Sequence, residues 1–516
     1  MLISLCFMAL LLKIMDINRE NYSSVTRNQS TKTLTVGEKR GTVYDRNYIP
    51  VTDSKKRLIA AVTPTVRSAE YLKAYFTPQE LTERISDGYP FLCRVSEEIN
   101  NDHIRTFSVP ERYGEDILAP HIVGYLDSEG KGVSGIEKAY NRYLTENGGR
   151  LTVSFQVDAV GRVLAGMDKT VRDSNFTSKA GVVLTLDSRI QNIAESALRE
   201  SRIKSGAVLV MQAGTGELLA VASAPAFSPD RVGESLKGEN SPLVNKAFCS
   251  YSVGSVFKSI VAAFALEEGI SAEEAYECKG EITVGDTVFR CFNGKAHGQT
   301  DMASALENSC NTYFINLSRK LSAEKLLSLC RKLGFGESDT LAPSMVTSSG
   351  VLPTAEGLKL KGNFANFSFG QGDFSATPLQ LAKAYHALAT GTAVTPVLVR
   401  GLTNYEGLMT LTGKTKKEKI FSDSTVQQMK KMLAGVVSSG LADKAKSELL
   451  SLSGKTGTAQ SGIYEDGKEV CRTWFTGFFP SGNPSYIVVV LDENGEGGNV
   501  DCAPVFRKVC EGIVGR

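Results

Sequence analysis

The stretch Tyr251-Ser-Val-Gly-Ser-Val-Phe-Lys-Ser-Ile-Val-Ala-Ala-Phe-Ala-Leu266 decides the fold. Gly254 leads into Ser255, and an apolar run with helical spacing continues until Glu267-Glu-Gly269 ends it. Read as a helix, it places Ser255 and Lys258 at i and i+3, side by side on one face. Ser255 falls in the first turn, where unpaired N–H groups and the positive end of the dipole favour developing negative charge. A serine hydroxyl is a poor nucleophile until a base takes its proton. A lysine held against it inside an apolar helix can be that base once desolvation lowers its pKa. Ser-x-x-Lys alone is a weak pattern, repeated at Ser128–Lys131, Ser201–Lys204 and Ser322–Lys325 in a glycine-rich turn and on polar segments that read as solvated faces. Its apolar surroundings and the leading Gly254 set the Ser255 copy apart.

Two further segments complete a site. Ser309-Cys310-Asn311 lies at a predicted helix-to-helix turn, where Ser and Asn also serve as ordinary caps. Gly454-Lys-Thr-Gly-Thr-Ala459 follows the apolar Leu449-Leu-Ser-Leu-Ser453, and its Lys455-Thr456-Gly457 occurs once in the chain. A nucleotide-binding P-loop would need glycine at 449, where Leu stands. A strand ending in Lys-Thr-Gly-Thr offers instead a cation, the hydroxyls of Thr456 and Thr458, and a glycine that lets a ligand approach the backbone.

Ser-x-x-Lys, Ser-x-Asn and Lys-Thr-Gly, in this order, resemble the motif set of penicillin-binding proteins and serine β-lactamases. The chain looks like a class B penicillin-binding protein, a monofunctional peptidoglycan D,D-transpeptidase of the division and sporulation kind. Val183-Leu-Thr-Leu-Asp187, Gly214-Thr-Gly-Glu-Leu-Leu-Ala220, His297-Gly298, Gly370-Gln-Gly372 with Thr377-Pro-Leu-Gln380, and Trp474-Phe475 with Gly477-Phe478 extend the likeness over roughly residues 30 to 516. It implies an α/β (α+β) transpeptidase fold of the serine β-lactamase type. A mainly antiparallel sheet would carry the Lys-Thr-Gly strand, and a helical subdomain the first two motifs. The transpeptidase domain is expected over 179–516, after an elongated, mixed, non-catalytic pedestal over 16–178.

The resemblance also implies roles. Lys258, as a neutral base, takes the Ser255 proton while Oγ attacks the penultimate D-Ala carbonyl of a stem peptide ending in D-Ala-D-Ala. The N–H groups of Ser255 and Thr458 stabilise the oxyanion, Ser309 relays the proton to the leaving amine, and Asn311 holds the substrate backbone. Lys455, with Thr456 and Thr458, meets the terminal carboxylate. β-Lactams would acylate Ser255, and no metal or organic cofactor is needed. A D,D-carboxypeptidase, a β-lactamase-like hydrolase and a scaffold for a membrane glycan polymerase are the alternatives.

In the pedestal, Arg40-Gly-Thr-Val-Tyr-Asp-Arg-Asn47 resembles a box of the family. Arg40, Asp45 and Arg46 are expected to form structural ion pairs, with Glu137 a partner for Arg40. Tyr48 stands where the family has glycine, so the turn there should differ.

Bulk properties set the limits. The chain has 516 residues, 42% hydrophobic and 22% charged, enough for two to four domains and against wholesale disorder. A net charge of +2 gives no reason to expect nucleic acid as a partner. Four histidines without ligand spacing, and no Cys-x-x-Cys, argue against zinc. Met1-Leu-Ile-Ser-Leu-Cys-Phe-Met-Ala-Leu-Leu-Leu12 is apolar but shorter than the ~20 residues of a spanning helix. The expectation is one N-terminal membrane anchor over residues 1–15, with room for residues ahead of Met1, in a bacterial cell membrane with an extracytoplasmic catalytic domain; a buried core helix is the alternative. Ten cysteines are many for an exported chain. Cys278 and Cys291 bracket a predicted hairpin and could be bonded. Oxidation of Cys310, with Cys330 one helix further on, could displace Ser309, or most of the thiols could simply be small buried hydrophobes.

Overall fold

The computed structural model describes residues 2–19, 30–114, 117–164, 166–465 and 467–515. The segments rich in Val, Leu and Ile become the strands Gly206–Gln212, Leu218–Ala224 and Tyr486–Asp492. With Lys468–Phe479 and Ser453–Glu465 they form a five-stranded antiparallel sheet, ordered 218–224, 206–212, 486–492, 468–479, 453–465. Residues 207–211 and 487–491 are buried on both faces because helices cover both. Ser188–Arg199 and Cys502–Ile513 pack on one side; Pro378–Thr390 and Asp423–Ser438 pack on the other, together with Lys258–Glu267. Every residue from Lys258 to Ala265 is buried, as an all-round apolar helix between layers should be. The Lys-Thr-Gly segment lies in the edge strand, open to a ligand on its outer side.

Before this unit stand two three-stranded antiparallel sheets: Thr31–Lys39, Gly149–Gln156 and Thr170–Ser174, and Phe91–Val95, Lys55–Val62 and Ile104–Glu111. Small apolar clusters around Phe155 and Val62 hold them. The expected division near 178 is bridged by hydrogen bonds. Thr42–Tyr44 pairs in parallel with Gly181–Leu184, which in turn pairs with Val399–Thr403.

Of the expected ion pairs, Arg40 meets the buried Glu137 at 3.3 Å, and Arg46 meets Glu217 at 2.9 Å. Arg112, which the sequence did not single out, binds Glu137 at 2.6 Å and Asp53 at 2.8 Å. Asp45 departs from the expectation. Its carboxylate accepts the N–H groups of Asn47, Ile49 and Ser188, so it caps a turn instead of pairing with a cation. Tyr48 departs too: at φ +62 it takes the left-handed backbone at which glycine is at ease, so the turn keeps that geometry.

Leu2–Arg19 is a helix whose Phe7, Met8, Leu10, Leu11 and Leu12 are all exposed, which excludes a buried core helix. No helix among the described residues is long and apolar enough to cross a membrane.

Candidate active site

Ser255 sits in a 3₁₀ turn, Gly254–Phe257, that runs into the α-helix Lys258–Glu267. At three residues per turn, positions i and i+3 eclipse, so Ser255 and Lys258 align more closely than α-helical spacing would give. Gly254 makes the entry at φ +66, and its N–H donates to Gly370 O at 2.8 Å. A Cβ on Gly370 would lie 2.0 Å from Gly254 O, so the Gly370-Gln-Gly372 segment can back the turn only as glycine. A Cβ on Gly254 would lie 2.7 Å from Thr458 O, which brings the Lys-Thr-Gly-Thr strand directly against the serine turn.

Lys258 is fully buried, and its Nζ donates to Ser309 O at 2.7 Å, Ser309 Oγ at 3.2 Å and Asn311 Oδ1 at 2.6 Å. Burial pushes its pKa down to about 7, against an opposing pull from the Cys310 and Cys291 thiols. Ser309 holds φ +51, a conformation that costs a non-glycine residue about 1–3 kcal/mol and is typical of functional turns. The capping role falls instead to Cys310, whose Sγ accepts the Tyr313 N–H at the start of helix Asn311–Ser318. Asn311 Nδ2 donates to Arg290 O at 3.0 Å, which fixes its amide with the oxygen toward Lys258.

Lys455 is also fully buried, and its Nζ donates to Thr456 O at 3.2 Å. Burial and the nearby positive charge of Lys258 hold its pKa well below the usual lysine range. Strand alternation sends Thr456 and Thr458 to the face opposite Lys455 and Gly457, and Thr458 is exposed. A cavity of about 550 Å³ opens beside the site, lined by Ser252, Asn366, Gln371, Asp373 and Ser375 among others.

Three positions escaped the sequence reading as supports of this site. Tyr385 OH donates to Val256 O at 2.9 Å and is hydrogen-bonded with Ser259 Oγ at 3.1 Å. Trp474 Nε1 donates to Ser252 O at 2.9 Å, and Thr476, cross-strand from Lys455, buries a hydroxyl that has no hydrogen-bond partner among the described residues. The single tryptophan was the one signal available. The Ser322–Lys325 copy is structural: Ser322 caps helix Ala323–Lys332, and Lys325 pairs with Glu268. The pedestal residues Arg40, Asp45, Arg46 and Glu137 make their bonds away from this pocket.

The bond offered for Cys278 and Cys291 is not formed. All ten are free thiols, and the bracketing pair Cys278 and Cys291 stand 3.8 Å apart, Sγ to Sγ, unbonded. The sulfur beside Cys310 is that of Cys291 at 3.8 Å, while Cys330 is buried in helix Ala323–Lys332.

Comparison with known proteins places the chain in a family. Residues 206–511 match the family model described as the penicillin binding protein transpeptidase domain. The chain is 28% identical to stage V sporulation protein D of Bacillus subtilis, over 95% of this chain and 80% of that protein. Among solved structures, the D,D-transpeptidase domain of a peptidoglycan glycosyltransferase from Eggerthella lenta superposes with a TM-score of 0.66 at 25% identity, covering 92% of this chain and 98% of that one. A chain from a structure described as the coordination of polymerization and crosslinking by a peptidoglycan synthase complex gives 0.72 at 24% identity, covering 98% and 97%. The match runs from the first strand of the central sheet to the last helix and takes in all three motifs that converge on Lys258, so the chain belongs to the penicillin-binding protein transpeptidase family.

Proposed function

We propose that this chain is a peptidoglycan D,D-transpeptidase that works through an acyl-enzyme on Ser255. The observation that carries the reading is the buried amine of Lys258, tied to Ser309 and Asn311 one turn beyond Ser255. In its neutral form Lys258 accepts the Ser255 proton as Oγ bonds to the penultimate D-Ala carbonyl of a stem peptide. Collapse of the tetrahedral intermediate breaks the C–N bond, and Ser309 passes a proton to the departing D-Ala amine. The Ser255 and Thr458 N–H groups hold the oxyanion, and loss of one such donor typically costs on the order of 10²–10³ in rate. Asn311 aligns the donor peptide. Thr456 and Thr458 hydrogen-bond the terminal carboxylate, and Lys455, buried on the other face of the strand, supplies positive charge near it, since the carboxylate favours the ammonium form of a lysine that is otherwise held low. A second stem-peptide amine then attacks the ester, forming the cross-link and freeing Ser255.

The decisive experiment labels the purified protein with a fluorescent penicillin, with and without Ser255→Ala, and follows the lifetime of the adduct. A stable adduct lost in Ser255→Ala supports the reading. Rapid turnover would mark a β-lactamase-like hydrolase, and release of stem-peptide acid without cross-links would mark a carboxypeptidase.

We also propose that the exposed apolar helix Leu2–Arg19 attaches the chain to the cell membrane, with the catalytic domain outside and a glycan polymerase as partner. The support is the unpaired apolar surface of that helix and the likeness to a chain of a peptidoglycan synthase complex. Release of the protein from membranes by an alkaline carbonate wash would contradict the attachment.

A further inference from the structure

Next to the turn that carries Ser309 and Asn311, four ligand-type side chains converge that acyl transfer does not use. Cys278 ends the strand Tyr276–Cys278, and Cys291 follows the hairpin strand Thr287–Arg290. His297 precedes the strand Gly298–Thr300, and Cys310 caps the helix Asn311–Ser318. Their ligand atoms all lie within 4.8 Å of one another. Cys278 Sγ to Cys291 Sγ is 3.8 Å, Cys291 Sγ to Cys310 Sγ is 3.8 Å, and Cys278 Sγ to His297 Nδ1 is 3.3 Å.

Three explanations compete. A disulfide needs sulfurs about 2.05 Å apart, and Cys291 stands equally far from two partners, so either pairing would leave the third thiol over. Packed neutral thiols would account for the sulfurs but not for an imidazole nitrogen aimed at them. A tetrahedral zinc ion, with bonds of about 2.3 Å to sulfur and 2.0–2.1 Å to nitrogen, has S···S edges of about 3.8 Å and S···N edges of about 3.6 Å. Three of the six edges, at 3.8, 3.8 and 3.3 Å, match such a tetrahedron to within a few tenths of an ångström, and the other three are no longer than 4.8 Å, a spread that closing on an ion would take up.

The surroundings fit the same ion. Cys278, Cys291 and Cys310 are buried and His297 half-buried, so the site is closed, as structural zinc sites are. Thr312 Oγ1 reaches all three sulfurs, at 3.1 Å from Cys278, 3.4 Å from Cys310 and 3.6 Å from Cys291, and the Tyr313 N–H donates to Cys310 Sγ at 3.4 Å. Donors of this kind orient and stabilise coordinating thiolates. Three thiolates and an imidazole select zinc over the oxygen-seeking magnesium and calcium. The spacing argument against zinc fails because the four ligands come from separate elements, so no short motif records them.

We propose that Cys278, Cys291, His297 and Cys310 bind one Zn²⁺ in a closed tetrahedral site, and that this ion fixes the Ser309–Asn311 turn. On binding, the three thiols release their protons to solvent, and His297 coordinates as neutral imidazole. Cys310 lies between the two residues that hold the Lys258 amine, so its bond to the ion sets their position. Metal binding stands independently of the acyl-transfer reading; only the consequence for the turn rests on it.

The test uses the full chain purified under reductant without chelator. Elemental analysis should find one zinc per chain, and cobalt exchanged into the site should show sulfur-to-metal charge transfer with the intense visible bands of tetrahedral coordination. His297→Gln and Cys278→Ser, both away from the Lys258 contacts, should each lower bound zinc and weaken or abolish the cobalt spectrum, whereas Cys330→Ser and Ser255→Ala should keep one zinc per chain. Should a ligand variant fail to fold, the cobalt spectrum of the native chain still reports the ligand set. No zinc in the isolated protein and no uptake by reduced apoprotein, or two cluster cysteines recovered as a disulfide, would overturn the site. Removing zinc should slow penicillin acylation, on the order of 10²-fold for a displacement of about 1 Å, and added zinc should restore it. Unchanged acylation without the metal would overturn the effect on the turn. Absence of penicillin labelling in zinc-loaded protein would count against acyl transfer and leave the metal site standing.

Discussion

Lys258 Nζ donates to Asn311 Oδ1 across 2.6 Å, a bond that ties the helix after Ser255 to a turn 53 residues further along the chain. It fixes the amine of the base and the amide that would read the substrate in one step. Asn311 can accept there because its Nδ2 is committed to Arg290 O at 3.0 Å on the 281–290 hairpin. The amine is thus aimed by three separate elements, none of which forms the site alone.

Removing the Lys258 base should slow acylation of Ser255 by about 10²–10⁴-fold, the usual worth of a positioned base. Lys258→Arg should be as slow as Lys258→Ala, because a guanidinium does not give up its proton. Asn311→Ala should fall short of that loss, since Ser309 O and Ser309 Oγ still accept from the amine. Time courses of fluorescent penicillin labelling measure all three.

The pH dependence follows from the lowered pKa of Lys258. The neutral amine is the active form and prevails above about 7. Acylation should therefore rise tenfold per pH unit below that value and level off above it. A rate that falls as pH rises from 6 to 8 would contradict Lys258 as the base.

Gly370→Ala tests the support behind Ser255. A Cβ there meets Gly254 O at 2.0 Å and also opposes a φ of +83, so neither backbone can stay in place. The substitution should cost more than about 1 kcal/mol of stability, and penicillin labelling should drop with it. Gly233→Ala, whose Cβ would meet nothing within 4 Å, is the control and should leave labelling unchanged.

Glu137→Ala probes the other end of the chain. The substitution leaves Arg40 and Arg112 facing each other around an empty position, a change that costs about 3–5 kcal/mol when a buried ion pair loses one partner. Chemical denaturation should show the loss, while penicillin labelling of the protein that remains folded should match the native chain.

The sequence determined whatever depends on local order. The buried nucleophile helix follows from its apolar residues, and the strands 206–212, 218–224 and 486–492 follow from their short runs of apolar and β-branched residues. The three motifs name their own residues, because a base beside a serine and a glycine beside a ligand are needs that short segments meet. Tertiary structure decided what depends on pairs distant in the chain. Arg112 joins Glu137, Asp45 caps a turn instead of pairing, Gly370 closes against Gly254, and three cysteines and a histidine meet beside Asn311. Such contacts are set by where the sheet and helices bring backbones together, and no spacing along a single segment encodes that distance.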